Sequence, residues 1–191
     1  MGALAAGFGI ETDLRDRDGV VVVSHDPPSS TSPDVVGLLE QWRAQGVLGR
    51  APLALNIKSD GLLSMLGTVT RVVAPFPHFF FDMSFPQLLM YARAGLPVAL
   101  RVSEFEPAPV HLVGRLGIES RYWLDGFDSD WWLENLAVSG ICRTSIVTVV
   151  SPEIHGRDPV RVWEWFADRV VDGCDISICT DQPYEVLEAC S

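Results

Sequence analysis

Glu11, Asp13 and His25 are the residues whose types and spacing could do chemistry together. They lie in the stretch GIETDLRDRDGVVVVSHDP, residues 9–27. Residues two apart in an extended strand leave the same face, so the two carboxylates project together. Paired carboxylates suit a hard divalent cation such as Mg²⁺ or Ca²⁺, and an imidazole can carry a proton near neutral pH. Asp16–Arg17–Asp18–Gly19 reads as a turn, and the β-branched run Val20–Val23 brings the chain back to His25–Asp26. A two-residue Asp18–Gly19 loop would pair His25 with Thr12, on the face away from the carboxylates. A three-residue loop, Arg17–Asp18–Gly19 with a left-handed glycine, would set His25 opposite Glu11. The functional reading therefore expects the longer, bulged turn, and a tight two-residue turn would count heavily against it.

The elements that must position these groups alternate along the chain. Strands are expected over Phe8–Leu14, Val20–His25, Leu53–Lys58, Phe79–Met83, Val98–Ser103, Tyr122–Gly126, Ile146–Ser151 and Ile176–Thr180. Helical spacing falls between them, over Val35–Gln45, Leu62–Val73, Phe85–Ala94, Trp131–Val138 and Val160–Val171. Such alternation builds parallel βα units, and the nearly continuous apolar strands suit a sheet buried on both faces. A glycine-rich phosphate loop after the first strand is missing, which argues against a dinucleotide-binding fold. The choice lies between a TIM-type (β/α) barrel and an open doubly wound sheet. Almost every strand ends in polar groups: Glu11 and Asp13, Asn56 and Lys58, Asp82, Arg101 with Ser103 and Glu104, Asp125, Ser151 with Glu153 and His155, and Thr180 with Asp181. A barrel gathers strand C-terminal ends round one mouth, so the barrel gives these residues a common target.

At 191 residues the chain is expected to form a single domain, 1–191. A net charge of −11 excludes non-specific binding to nucleic acid or to an anionic membrane. An anionic substrate would then need local cations. No apolar stretch reaches the roughly 18 residues of a membrane span, and the N-terminus lacks the basic region and apolar length of a signal peptide. Cys142, Cys174, Cys179 and Cys190 show no metal-ligand spacing, which reads as a reduced, cytoplasmic protein.

With those residues in view, the chain resembles the glycerophosphodiester phosphodiesterase family of TIM barrels. The matching stretches are GIETDLRDRDGVVVVSHD at 9–26, LALNIKSDGL at 53–62 and ICTDQP at 178–183. The resemblance implies a metal-dependent hydrolase of lipid metabolism, which cleaves a small phosphodiester to an alcohol and a phosphomonoester. It makes Glu11 and Asp13 metal ligands, His25 one of two catalytic histidines, and Lys58 a contact of the substrate phosphate. It also exposes two departures. The family's first strand ends in His-Arg-Gly and supplies the other histidine, and nothing before Glu11 matches it. The family's third metal carboxylate falls at Asn56. Arg101, Asp125, Glu153 and His155 are candidates to contact substrate or to replace these groups, with His155 standing in for the histidine and Glu153 for the carboxylate. The alternative is a catalytically inactive barrel that binds a phosphorylated ligand or a protein partner. A barrel lacking its first strand would expose a seam beside the strand of Glu11, so self-association is expected; a monomer in sedimentation velocity would argue against the seam.

Overall fold

Strand β1 (Ile10–Arg17) begins where the backbone of Gly9 crosses Pro52. A Cβ on Gly9 would stand 2.5 Å from the Pro52 carbonyl oxygen, and the Ile10 N–H donates to that same oxygen at 3.2 Å. This close approach starts the parallel ladder from β1 to β3 (Leu53–Ile57), in register from Ile10 opposite Leu53 to Leu14 opposite Ile57. The computed structural model describes residues 2–49, 51–106, 110–135 and 141–190, with residues 110–112 by backbone alone. Its contacts divide the chain into two compact units, Met1–Val98 and Ala99–Ser191.

In the first unit, β3 pairs in parallel with β4 (His78–Phe81), and β2 (Val20–Val23) returns antiparallel on β1, giving the order β2-β1-β3-β4. All five residues of β3 are buried, as a strand covered on both faces requires. Leu14, Leu55 and Phe80 anchor this core with no exposed surface. Helix α1 (Gly2–Ala5) precedes β1. Helix α2 (Val35–Ala44) starts at Asp34, whose carboxylate accepts the N–H groups of Val36 and Gly37, the usual remedy for unpaired donors at a helix start. The helical pattern over Leu62–Val73 divides into a 3₁₀ turn, Leu62–Met65, and helix α3 (Gly67–Val73). Helix α4 (Phe85–Arg93) follows β4.

The second unit is wholly parallel, in the order β5-β6-β7-β8: β5 (Leu100–Val102), β6 (Arg121–Leu124), β7 (Ile146–Val150) and β8 (Ile176–Cys179). Helix α5 (Val110–Leu116) lies between β5 and β6, α6 (Val160–Val171) between β7 and β8, and α7 (Pro183–Ala189) after β8. Helix α6 turns Trp163 and Phe166 onto Val186 of α7, with Ile176 and Ile178 of β8 beside them.

Several expectations need correction. The β1–β2 turn is the two-residue one: Arg17 pairs with Val20, and Asp18 and Gly19 have φ of 51° and 81°. Asp-Gly accommodates two left-handed residues, and a turn of that hand matches the twist of the flanking strands, so the tight loop wins over the bulge. Helices α5 and α7 were not foreseen, since both are short and weakly periodic. Of the helix expected over Trp131–Val138, residues 131–134 form turns, and 136–138 lie outside the described residues. Trp132 is fully buried there.

The crossing at Gly9 is testable. Gly9→Ala forces its methyl group against a backbone oxygen and should destabilise the protein by about 1–3 kcal/mol in urea unfolding. A loss under about 0.5 kcal/mol would show that Pro52 gives way freely.

Candidate functional site

The two-residue period of β1 places Glu11, Asp13 and Arg15 on one face. Arg15 acts on backbone: its Nε and Nη2 donate to the His25 carbonyl at 3.1 and 2.9 Å, and its Nη1 donates to the Lys58 carbonyl at 3.2 Å. One planar guanidinium thus fixes the segments carrying the histidine and the lysine. Sequence reasoning missed this residue, although its spacing from Asp13 was a usable signal.

His25 reaches the carboxylates in spite of the tight turn. Strand β2 ends at Val23, and after Ser24 N–H donates to the Asp13 carbonyl at 3.0 Å the chain leaves the ladder. Freed from strand register, the imidazole turns back and sets Nδ1 2.9 Å from Asp13 Oδ2. An ionised carboxylate only accepts, so Nδ1 carries the proton and the neutral ring presents Nε2 as its acceptor. The His25 side chain is 78% exposed, while that of Asp13 is 14% exposed. The imidazole stands at the surface on a half-buried anchor.

Lys58 follows β3, between the neighbouring strands β1 and β4. Its Nζ lies 3.5 Å from Asp13 Oδ1 and 3.3 Å from Asp82 Oδ2. Asn56 is buried, opposite Asp13 on β1 and Phe81 on β4. Its side chain hydrogen-bonds Glu11, and its Oδ1 has no hydrogen-bond partner among the described residues. Glu11 is pushed up to about 7, first by burial and then by the charge of Asp13, with Asp82 adding a little; the Asn56 hydrogen bond and the Lys58 charge oppose the rise. The cluster carries more negative charge than Lys58 balances.

A hard cation fits this donor set. Among the described residues no three acidic, histidine or cysteine side chains converge as a ready metal cage. Mg²⁺, however, is commonly held by one or two carboxylates, its remaining positions filled by water and substrate oxygens. Glu11, Asp13 and the orphaned Asn56 Oδ1 are three hard oxygen donors of that kind. A buried carbonyl without a partner costs roughly 1–3 kcal/mol, which such an ion would relieve.

The other candidates lie in the second unit. His155 Nε2 lies 2.8 Å from Asp125 Oδ1, and its ring packs 5.2 Å from that of Phe127. Glu153 accepts the hydroxyls of Ser151 and Thr180 and the Asp181 N–H, so its oxygens hold the β7 and β8 ends rather than standing open as a replacement metal ligand. Arg101 pairs through Nε with Glu106, and its guanidinium lies over the Phe127 ring. Glu104 accepts the N–H groups of Phe127, Asp128 and Ser129. Burial would raise its pKa, but these hydrogen bonds outweigh that and leave it lowered.

The Glu11 shift has a definite pH consequence. Its folded pKa of about 7 exceeds the ordinary 4.5, so its contribution to stability is whole below pH 4.5 and is lost as pH rises through 7. At about 1.4 kcal/mol per pKa unit, the rise from 4.5 to about 7 corresponds to a loss on the order of 3–4 kcal/mol. In chelator-treated protein, Glu11→Gln should therefore match the wild type at pH 4.5 and exceed its unfolding free energy at pH 8. Equal denaturation midpoints at pH 8 would refute the crowding of Glu11.

No family model matches the chain, and no curated protein matches it. Solved structures do. A glycerophosphodiester phosphodiesterase from Agrobacterium tumefaciens superposes with a TM-score of 0.68 at 18% identity, covering 98% of this chain and 88% of that one. A phosphodiesterase from Oleispira antarctica, in complex with the product sn-glycerol-3-phosphate, gives 0.63 at 18% identity over 95% of this chain and 84% of that one. A glycerophosphoryl diester phosphodiesterase from Parabacteroides distasonis gives 0.62 at 14% identity over 95% and 74%. The likeness that the motifs carried thus extends through almost the whole chain, which has the fold of the glycerophosphodiester phosphodiesterases, a TIM-type (β/α) barrel.

Proposed function

We propose that this chain hydrolyses a phosphodiester of the glycerophosphodiester type to an alcohol and a phosphomonoester. The observation that carries the proposal is the Asp13 carboxylate, which meets the His25 imidazole on one oxygen and the Lys58 ammonium on the other. The fold shared with phosphodiesterases, one of them holding sn-glycerol-3-phosphate, supports it. So does a match spanning at least 95% of the chain, which favours one catalytic domain over residues 1–191.

Hydrolysis needs charge neutralised at the phosphoryl oxygens, a nucleophile deprotonated and a leaving alkoxide protonated. When held by Glu11, Asp13 and Asn56 Oδ1, Mg²⁺ or Ca²⁺ supplies the first of these by Lewis-acid charge neutralisation. Lys58 adds a positive charge for the same phosphate. Asp13 keeps the Nδ1–H tautomer of His25, leaving Nε2 to take a proton from the attacking oxygen and return it to the alkoxide. The oxygen set, not a histidine–cysteine set, is what points to a hard cation.

The substrate is proposed as a small soluble or lipid-derived diester, with a role in lipid metabolism and a cytoplasmic location. Among the described residues no helix is long and apolar enough to cross a membrane. Asn56, standing where the family has a third carboxylate, favours a second reading in which the barrel binds a phosphorylated ligand without turning it over.

The two readings separate in one assay. Release of sn-glycerol 3-phosphate from glycerophosphodiesters should require Mg²⁺ or Ca²⁺ and stop with chelator. His25→Ala should lower kcat by roughly 10²–10⁴-fold with little change in melting temperature, because the ring is exposed. No release with either cation, alongside retained binding of sn-glycerol 3-phosphate, would decide for the binding reading.

A further inference from the structure

We propose that Asp82 is a positioning residue of this site, which holds the Lys58 ammonium where a phosphate of the ligand meets it. The inference rests on the phosphodiester reading and deepens it. Three observations converge on Asp82. It directly follows β4, and its carboxylate lies 3.3 Å from Lys58 Nζ. Its side chain is only 14% exposed, so water screens the pair less than it would at the surface. Its backbone has φ of 66°, in the left-handed region, and among the described non-glycine residues it shares that distinction only with Asp18 of the β1–β2 turn. A left-handed residue other than glycine is uncommon, and it persists where its surroundings fix it. Asp18 takes that conformation in the turn, and Asp82 takes it in the bend that follows β4, which brings its carboxylate to Lys58.

The lysine needs such a partner. The backbone around Lys58 is already held without Asp82, by Arg15 Nη1 on the Lys58 carbonyl at 3.2 Å and by the Ser84 hydroxyl on Asp60 Oδ1 at 3.0 Å. What remains free is the ammonium, a point charge on four flexible methylenes. Asp13 alone, at 3.5 Å, would leave it free to swing about one contact, and Asp13 has His25 to serve as well. Asp82, on the far side of β3, supplies the second contact. With both, the ammonium sits between two carboxylates, and its third N–H is left for a phosphate oxygen.

Lys58 carries the phosphate contact and Asp82 acts through it, which makes their effects coupled. We would titrate sn-glycerol 3-phosphate into the full-length protein by calorimetry with Mg²⁺ present, for the wild type, Asp82→Asn, Asp82→Gly, Lys58→Met and the Asp82→Asn/Lys58→Met double variant. Asn and Gly both accept left-handed backbone, so neither variant should melt lower than the wild type. Both should bind the phosphomonoester about tenfold more weakly, and the double variant should bind no more weakly than Lys58→Met alone. Unchanged affinity in Asp82→Asn, or losses that simply add in the double variant, would overturn the proposal. Relaxation of ¹³C at Lys58 Cε needs no ligand and gives a second readout: the side chain should become more mobile in Asp82→Asn, and unchanged mobility overturns the anchoring. A wild type that fails to bind the phosphomonoester refutes the phosphodiester reading itself, while the relaxation result still decides whether Asp82 anchors Lys58.

Discussion

One carboxylate, that of Asp13, is shared between an imidazole and an ammonium, and the arrangement of the whole site follows from that sharing. Asp13 accepts from His25 Nδ1 on one oxygen and faces Lys58 Nζ on the other. Its side chain is 14% exposed, so these contacts are made where water competes less for each charge. The imidazole fixes one end of the carboxylate and the ammonium the other, which leaves Asp13 little rotational freedom. A carboxylate so constrained is ready to orient its partners without further ordering, and pre-ordering of this kind is what a site for charge development needs.

That carboxylate would have nothing to bind without the scaffold around it. The tight Asp18–Gly19 turn sends β2 back in a register that, continued, would carry His25 to the wrong face. Ending the strand at Val23 releases the histidine from register, and Arg15 then captures the released backbone through the His25 carbonyl. The same guanidinium reaches the Lys58 carbonyl. Arg15 therefore ties together the two segments that Asp13 reads through their side chains. A lysine could not do this, since its single ammonium lacks a planar fork spanning two carbonyls.

The parts legible in the sequence were those set by short-range rules. The period of β1 gave Glu11 and Asp13 a common face, and the nearly continuous apolar run in Leu53–Lys58 announced a strand buried on both faces. The parts that were not legible depend on where a chain stops obeying a local pattern. Counting residues from the turn predicts a pairing for His25 only if the strand continues, and nothing in Val-Val-Ser-His says that it stops at Val23. Asp82 was visible as a strand-end carboxylate, but its left-handed backbone and its bond to Lys58 depend on β4 lying beside β3. Helices α5 and α7 escaped because seven-residue helices owe their stability to packing more than to their own pattern.

The contrast within the candidate list also has a physical cause. Glu104 and Glu153 stand, like Glu11, among the carboxylates that the sequence sets at strand ends. In the fold, Glu153 accepts two hydroxyls and one backbone N–H, and Glu104 accepts three backbone N–H groups; carboxylates so engaged fasten their loops. Glu11 has the opposite environment: buried, beside Asp13, steadied by one amide and one distant ammonium, and raised to about 7 as a result. Such a group gains from any cation that arrives, whereas Glu153 would have to surrender existing hydrogen bonds to accept one. The unmet electrostatic demand around Glu11 and Asn56, rather than the number of acidic residues, is therefore what distinguishes this cluster from the hydrogen-bonded carboxylates Glu104 and Glu153.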